Sequence, residues 1–99
     1  MSEPRLTDEE IDAGLARLPG WSRDGDEIRR TVTAPEFLTG IDWVRRVGEA
    51  AEAANHHPDI DIRWCDVTFA LSTHDSGGLT RLDLDLAGTI DRITGGDSA

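Results

Sequence analysis

The sequence predicts an α+β domain of order α-β-β-α-β-β-α, with helices packed on one face of a four-stranded antiparallel sheet. Three observations carry this. Two capping boxes, Thr7 to Glu10 and Thr80 to Asp83, each open a run with helical apolar spacing. A longer helical run lies between them. Each interval between helices holds two short segments whose apolar residues alternate.

In Thr7-Asp8-Glu9-Glu10 a hydroxyl and a carboxylate three residues apart can satisfy the first free amides of a helix, and Ile11, Leu15 and Leu18 form its apolar stripe. Pro19-Gly20 ends it. Trp21 opens a strand that reverses at Asp24-Gly25-Asp26, and Ile28 and Val32 lie on one face of the returning strand, which Arg29-Arg30 make unusually polar. After Ala34-Pro35, the residues Phe37, Leu38, Ile41, Val44, Val47, Ala51 and Ala54 recur mostly at steps of three and four, which predicts a helix from about Pro35 to Asn55. Pro58 cannot continue it. Ile60, Ile62 and Trp64 then point one way and Asp61 and Arg63 the other; Val67, Phe69 and Leu71 alternate with Thr68, Ala70 and Ser72. Gly77-Gly78-Leu79-Thr80 is a loop ending in the second capping box, and Leu82, Leu86, Ile90 and Ile93 share one face of the last helix. The tail, residues 94–99, is expected to fray.

At 99 residues the chain has room for one domain, residues 1–99 with a core from about 6 to 93, near the size at which oligomerisation often adds stability. Ten Lys and Arg against twenty Asp and Glu give a formal charge of -10, which repels phosphate backbones and anionic lipid surfaces. Direct nucleic-acid binding and membrane association are therefore not expected. Cys65 is the only cysteine, so no internal disulfide forms, and Trp64 and Asp66 give it no cationic neighbour. A buried or half-buried thiol in a reducing cytosol fits. The first residues, Met1 to Arg5, lack the apolar run of a signal peptide, and no segment has the roughly twenty apolar residues that cross a bilayer. The expected location is cytoplasmic.

The chemistry centres on Asn55-His56-His57-Pro58, two of the three histidines side by side where the long helix must stop, and on His74 in Ser72-Thr73-His74-Asp75. Histidine, with an unperturbed pKa of about 6.5, can both give and take a proton near neutral pH. Glu52 and His56 are four apart, so the carboxylate either orients the imidazole or makes only a surface ion pair. A histidine pair at a helix C-terminus is also favoured by the macrodipole alone, by about 0.3–1 kcal/mol. His74 stands at a strand end, where a rigid sheet can aim it, although such a position also suits a plain surface residue. Asp83 has a structural role as capping acceptor. Zinc is a weaker reading: adjacent His56 and His57 would point about 100° apart on a helix, unlike an i, i+4 ligand pair, so no metal is expected.

Taken together these residues form Glu52-x3-His56-His57-Pro58-x5-Trp64-x9-His74-x8-Asp83, a pattern that resembles the pterin-4a-carbinolamine dehydratases. Gly20-Trp21 before a hairpin, Leu71-Ser72-Thr73-His74 and Gly77-Gly78-Leu79-Thr80 agree with it, and the resemblance runs from about Leu6 to Ile93. It implies a lyase that dehydrates 4a-hydroxytetrahydrobiopterin to the quinonoid dihydropterin plus water in tetrahydrobiopterin recycling, acting as a homodimer or homotetramer. The pterin is the substrate, and no cofactor is implied. By position His56 and His74 become the proton-transfer pair, and His57, a third catalytic candidate, binds and orients the pterin. Glu52 is expected to support His56, Thr73 and backbone groups after Pro58 to contact the ring, Trp21 to lie near the pocket, and Asp83 to position His74. Asn55 stands where an acidic residue often precedes the histidine pair, and Arg29 to Val32 replace a more aromatic strand. Animal members also partner a homeodomain transcription factor, so the alternative is a non-catalytic pterin-binding or protein-interaction module.

Overall fold

The computed structural model describes residues 3–95 and has the expected order: α1 (Asp8–Leu15), β1 (Ser22–Asp24), β2 (Glu27–Thr33), α2 (Phe37–Ala54), β3 (Asp59–Arg63), β4 (Asp66–Leu71) and α3 (Arg81–Ile93), with a single 3-10 turn, His74–Ser76, after β4. Residues 96–99 of the expected frayed tail lie outside the described residues. All four strands pair antiparallel in the order β1-β2-β4-β3, so both hairpins lie in one sheet and β2 and β4 are its centre.

Register follows from burial. Ile28 pairs with Leu71, Val32 with Val67, Ile60 with Phe69 and Ile62 with Val67, which puts one apolar row from each of β2, β3 and β4 on the same face. Against that face pack Ile11 of α1, Trp43, Val47 and Ala51 of α2, and Leu86, Ala87 and Ile90 of α3. Among the described residues the other face carries no helix and is polar: Thr31 and Thr68 share a hydroxyl hydrogen bond of 2.7 Å, and Thr33 donates to Asp66 at 2.7 Å. The two arginines of β2 fall on opposite faces by the strand period. Arg29 reaches Glu27 on the open face, and Arg30, half-buried on the helix side, reaches Asp91 of α3 at 2.6 Å.

Both capping boxes form. The Thr7 hydroxyl accepts from the Glu10 amide, Glu10 accepts from the Thr7 amide, and Thr80 and Asp83 repeat the arrangement at α3.

Two expectations need correction. In α2 the buried residues are Gly40, Trp43, Val47 and Ala51, whereas Leu38 is 75% exposed and Phe37 and Ile41 are also exposed. The cause is close approach at Gly40, where a Cβ would stand 3.2 Å from Val67 Cγ2 and 3.5 Å from Ala34 Cβ. A Cβ there would make Val67 give by a few tenths of an ångström, so glycine suits the close approach of the first turns to the sheet, with Phe37, Leu38 and Ile41 on the outer side. Trp64 does not continue the core row of β3. It occupies the β3–β4 turn at φ 52° and is 80% exposed, the first of two central residues in a hairpin turn where positive φ usually selects glycine. Its neighbour Cys65 is buried, and the Cys65 carbonyl accepts from the Ala34 amide at 2.7 Å, tying this turn to the entry of α2. Among the described residues, no helix is long and apolar enough to cross a membrane.

Candidate active site

The histidines meet at the end of the sheet opposite Trp64, where α2 ends, β4 ends and α3 begins. Asn55 closes α2 in the left-handed conformation, φ 52° and ψ 42°. The Asn55 amide donates to the Glu52 carbonyl at 3.2 Å and the His56 amide to the Ala51 carbonyl at 3.1 Å. This is the paired 5→2 and 6→1 bonding of a Schellman motif, which turns the chain sharply. Because of that reversal, residues 52 and 56 no longer stand one helical turn apart on one face.

His56 is turned inward, buried, with Nε2 2.6 Å from Asp83 Oδ1; His57 is turned outward, half-exposed, with Nε2 in hydrogen-bond contact with Glu52 Oε2. Glu52 therefore supports His57 rather than His56. Asp83 supports His56 rather than His74.

Asp83 is fully buried and accepts from three donors: His56 at Oδ1, the Thr73 hydroxyl at Oδ2 (2.8 Å) and the Thr80 amide at Oδ2 (2.9 Å). Thr73 and Thr80 hydroxyls lie 2.8 Å apart, and the Thr80 oxygen also accepts from the Leu82 amide. Since Thr73 spends its proton on Asp83, the Thr80 hydroxyl donates to Thr73, and the chain of bonds has one direction. With Asp83 as a carboxylate, which can only accept, His56 donates to it from Nε2. Nδ1 is then the ring atom left for chemistry.

His74 opens the 3-10 turn. Two backbone bonds between Thr73 and Gly78 (3.1 and 3.4 Å) and the Gly77 amide on the His74 carbonyl (3.0 Å) close this loop, with Gly77 at φ 72°. The His74 side chain is exposed and makes no hydrogen bond among the described residues. A cleft of about 210 Å3 is lined by Asn55, His56, His57, Ser72, Thr73, His74 and Asp75, so all three histidines share one open space. A second groove of about 460 Å3 adjoins it across Ser72 and His74, with Asp24, Asp26 and Glu27 on its far wall.

Asn55 and Thr73 thus line the histidine cleft, while Glu52 and Asp83 act through the imidazoles they hold and Pro58 separates α2 from β3. Trp21, expected beside the pocket, lines neither cleft that touches a histidine. It is buried, and its indole N–H donates to Asp91 at 2.9 Å, eight residues or about 12 Å along α3 from Asp83. The sequence pattern does not mark Ser72, Asp75 or Thr80 as site residues. Ser72 carried a signal, since strand alternation places it with His74; Thr80 looked only like a cap, because its bond to Thr73 joins residues seven apart through a loop. Among the described residues, no three or more His, Cys, Asp or Glu are gathered so that they could hold a metal ion.

Such a site offers two imidazoles of different character and a third with an exposed carboxylate, an arrangement suited to moving protons. Comparison with known proteins agrees with the fold. Residues 4–93 match the family model described as pterin 4 alpha carbinolamine dehydratase. A protein of Mycobacteroides abscessus named "Putative pterin-4-alpha-carbinolamine dehydratase" is 62% identical over 90 residues, 91% of this chain and 96% of that one. One of the same name from Nocardia farcinica is 58% identical over 93 residues, 94% and 98% of the two chains. A crystal structure described as a transcriptional coactivator/pterin dehydratase from Brucella melitensis superposes with a TM-score of 0.89 at 30% identity, covering 92% of this chain and 99% of that one.

Proposed function

This chain belongs to the pterin 4 alpha carbinolamine dehydratase family, and from that premise we propose that it dehydrates 4a-hydroxytetrahydrobiopterin to the quinonoid dihydropterin by histidine acid–base catalysis. The observation that carries the reading is the cleft shared by His56, His57 and His74, in which His56 is held by a buried carboxylate and His74 is left without a partner among the described residues.

In the proposed reaction a proton leaves N5, its electron pair forms the new double bond to C4a, and the C4a–O bond breaks as the hydroxyl takes a proton and departs as water. The net change is loss of water, with no electrons gained or lost, so the elimination itself calls for no cofactor. His56 and His74 are the proton-transfer pair. His56 works through Nδ1, because Nε2–H is engaged by Asp83. His57, steadied by Glu52, binds and orients the ring, and Asn55 and Thr73 line the same space. The reading places the enzyme in the cytoplasm, in tetrahydrobiopterin recycling, as a homodimer or homotetramer.

The test is to generate the carbinolamine in situ with a pterin-dependent hydroxylase and follow its decay optically, with this protein and with its His56→Ala/His74→Ala variant. Faster decay that vanishes in the variant supports the dehydratase. Decay at the uncatalysed rate, in folded protein, overturns it in favour of a binding module.

A further inference from the structure

We infer that a groove between the α1–β1 connection and the C-terminal half of α3 binds a soluble small molecule through a phosphate or pyrophosphate group. The groove, about 440 Å3, is lined by Arg17, Gly20, Arg30, Gly88, Asp91 and Arg92 among others, and none of the three histidines touches it. Its size falls within the usual range of small-ligand sites.

The charge is the first argument. Three guanidiniums face one carboxylate here, a local balance of about +2 in a chain whose formal charge is -10. Asp91 is already committed: one of its oxygens accepts from Arg30 at 2.6 Å and from the Trp21 indole at 2.9 Å. Arg92 reaches only the Thr89 hydroxyl, at 2.9 Å, and Arg17 has no carboxylate partner among the described residues. With twenty carboxylates for ten arginines, these cations are not left over for want of anions. Guanidinium presents paired N–H donors that fit the oxygens of a phosphate, and two guanidiniums without a carboxylate partner, lining one groove with a third, suit a ligand of charge -2 or more.

The glycines are the second argument. A Cβ on Gly20 would stand 2.6 Å from the Arg30 guanidinium, so glycine there lets Arg30 lie flat along the chain toward Asp91. Gly88 sits within α3, where glycine is a poorer helix former than alanine. A Cβ there would meet only Arg92 Nη1, at 3.8 Å, so core packing does not require the glycine. What its absence of a side chain does provide is open space in the groove. The overall charge of -10 disfavours an anionic membrane as the source of the phosphate, leaving a soluble one.

Inorganic pyrophosphate and phosphate can be titrated into 15N-labelled protein, with sodium chloride at equal ionic strength as control. The expected result is a saturable shift of the Gly20 and Gly88 amides and the Trp21 indole N–H by pyrophosphate, weaker with phosphate and absent with chloride. Arg17→Gln/Arg92→Gln should weaken binding about tenfold or more, whereas Arg45→Gln/Arg46→Gln, which removes the same charge from α2, should not. Retention of the remaining amide pattern shows that each variant is folded. Shifts that do not saturate, or equal affinity in both double variants, overturn the proposal. Dehydratase activity is scored separately, since the groove holds none of its residues.

Discussion

At His74 the imidazole is exposed, lies at the start of a short turn and packs into nothing, so its removal should touch chemistry and spare the fold. His74→Ala is expected to lower kcat by about 10²–10⁴, the usual range for a general acid or base, while Tm moves by less than about 4 °C. Loss of the thermal transition would make His74 structural. Asp83 is the opposite case, fully buried under three donors. Asp83→Ala strands those donors and should cost about 3 kcal/mol, seen as a fall in Tm of more than about 10 °C. Asp83→Asn keeps the volume but gives up a charge-assisted bond worth about 1.5–3 kcal/mol, so kcat should fall about 10- to 100-fold with the fold retained. If Asp83→Asn turns over at the native rate, the carboxylate serves only as a cap. The histidines and Asp83 could be named from the sequence because their residue types are diagnostic. Their pairing could not: the spacing of Glu52 and His56 suggests a bond that the left-handed Asn55 breaks, and sequence distance says nothing of Asp83 meeting His56 across 27 positions.

Among the elements, the ending of α2 determines the site. Asn55 holds a conformation that costs an ordinary side chain about 1–2 kcal/mol and that glycine adopts freely. Asn55→Gly should therefore keep the denaturant midpoint, and Asn55→Ala should lower stability by about 1 kcal/mol at unchanged m. The same pair separates two roles. If Asn55→Gly loses activity at full stability, the amide touches substrate; if it keeps activity, Asn55 acts through its backbone alone. The starts of α1 and α3 were readable because capping boxes are local, and both formed. The facing of α2 was not, because hydropathy favoured the stripe of Leu38 and Ile41, whereas the helix turns on Gly40, whose value lies in having no side chain to clash with Val67.

For the molecule as a whole, strand alternation fixed the sheet's inner face, and the order of strands followed from two hairpins whose second members pair in the middle. The composition had no way to reveal what lies on the outside at the end remote from the histidines. Phe37, Leu38, Ile41 and Trp64 are all exposed there, joined through the Ala34–Cys65 hydrogen bond. If the proposed homo-oligomer uses this surface, Leu38→Glu should reduce the mass seen by sedimentation without lowering the stability of the protomer. A native protein that sediments as a monomer, or a variant of unchanged mass, sinks that assignment.

Cys65, the single thiol, lies buried in the β3–β4 turn, and about 16 Å of strand separate it from the histidine end. A disulfide-exchange reagent can reach it only when that turn lifts from the entry of α2, so the labelling rate is a clock for opening at one end of the sheet. Loss of catalysis times opening at the other. Equal free energies from the two clocks would mean that the domain opens as a single unit, and unequal ones that the turn breathes while the histidines stay assembled.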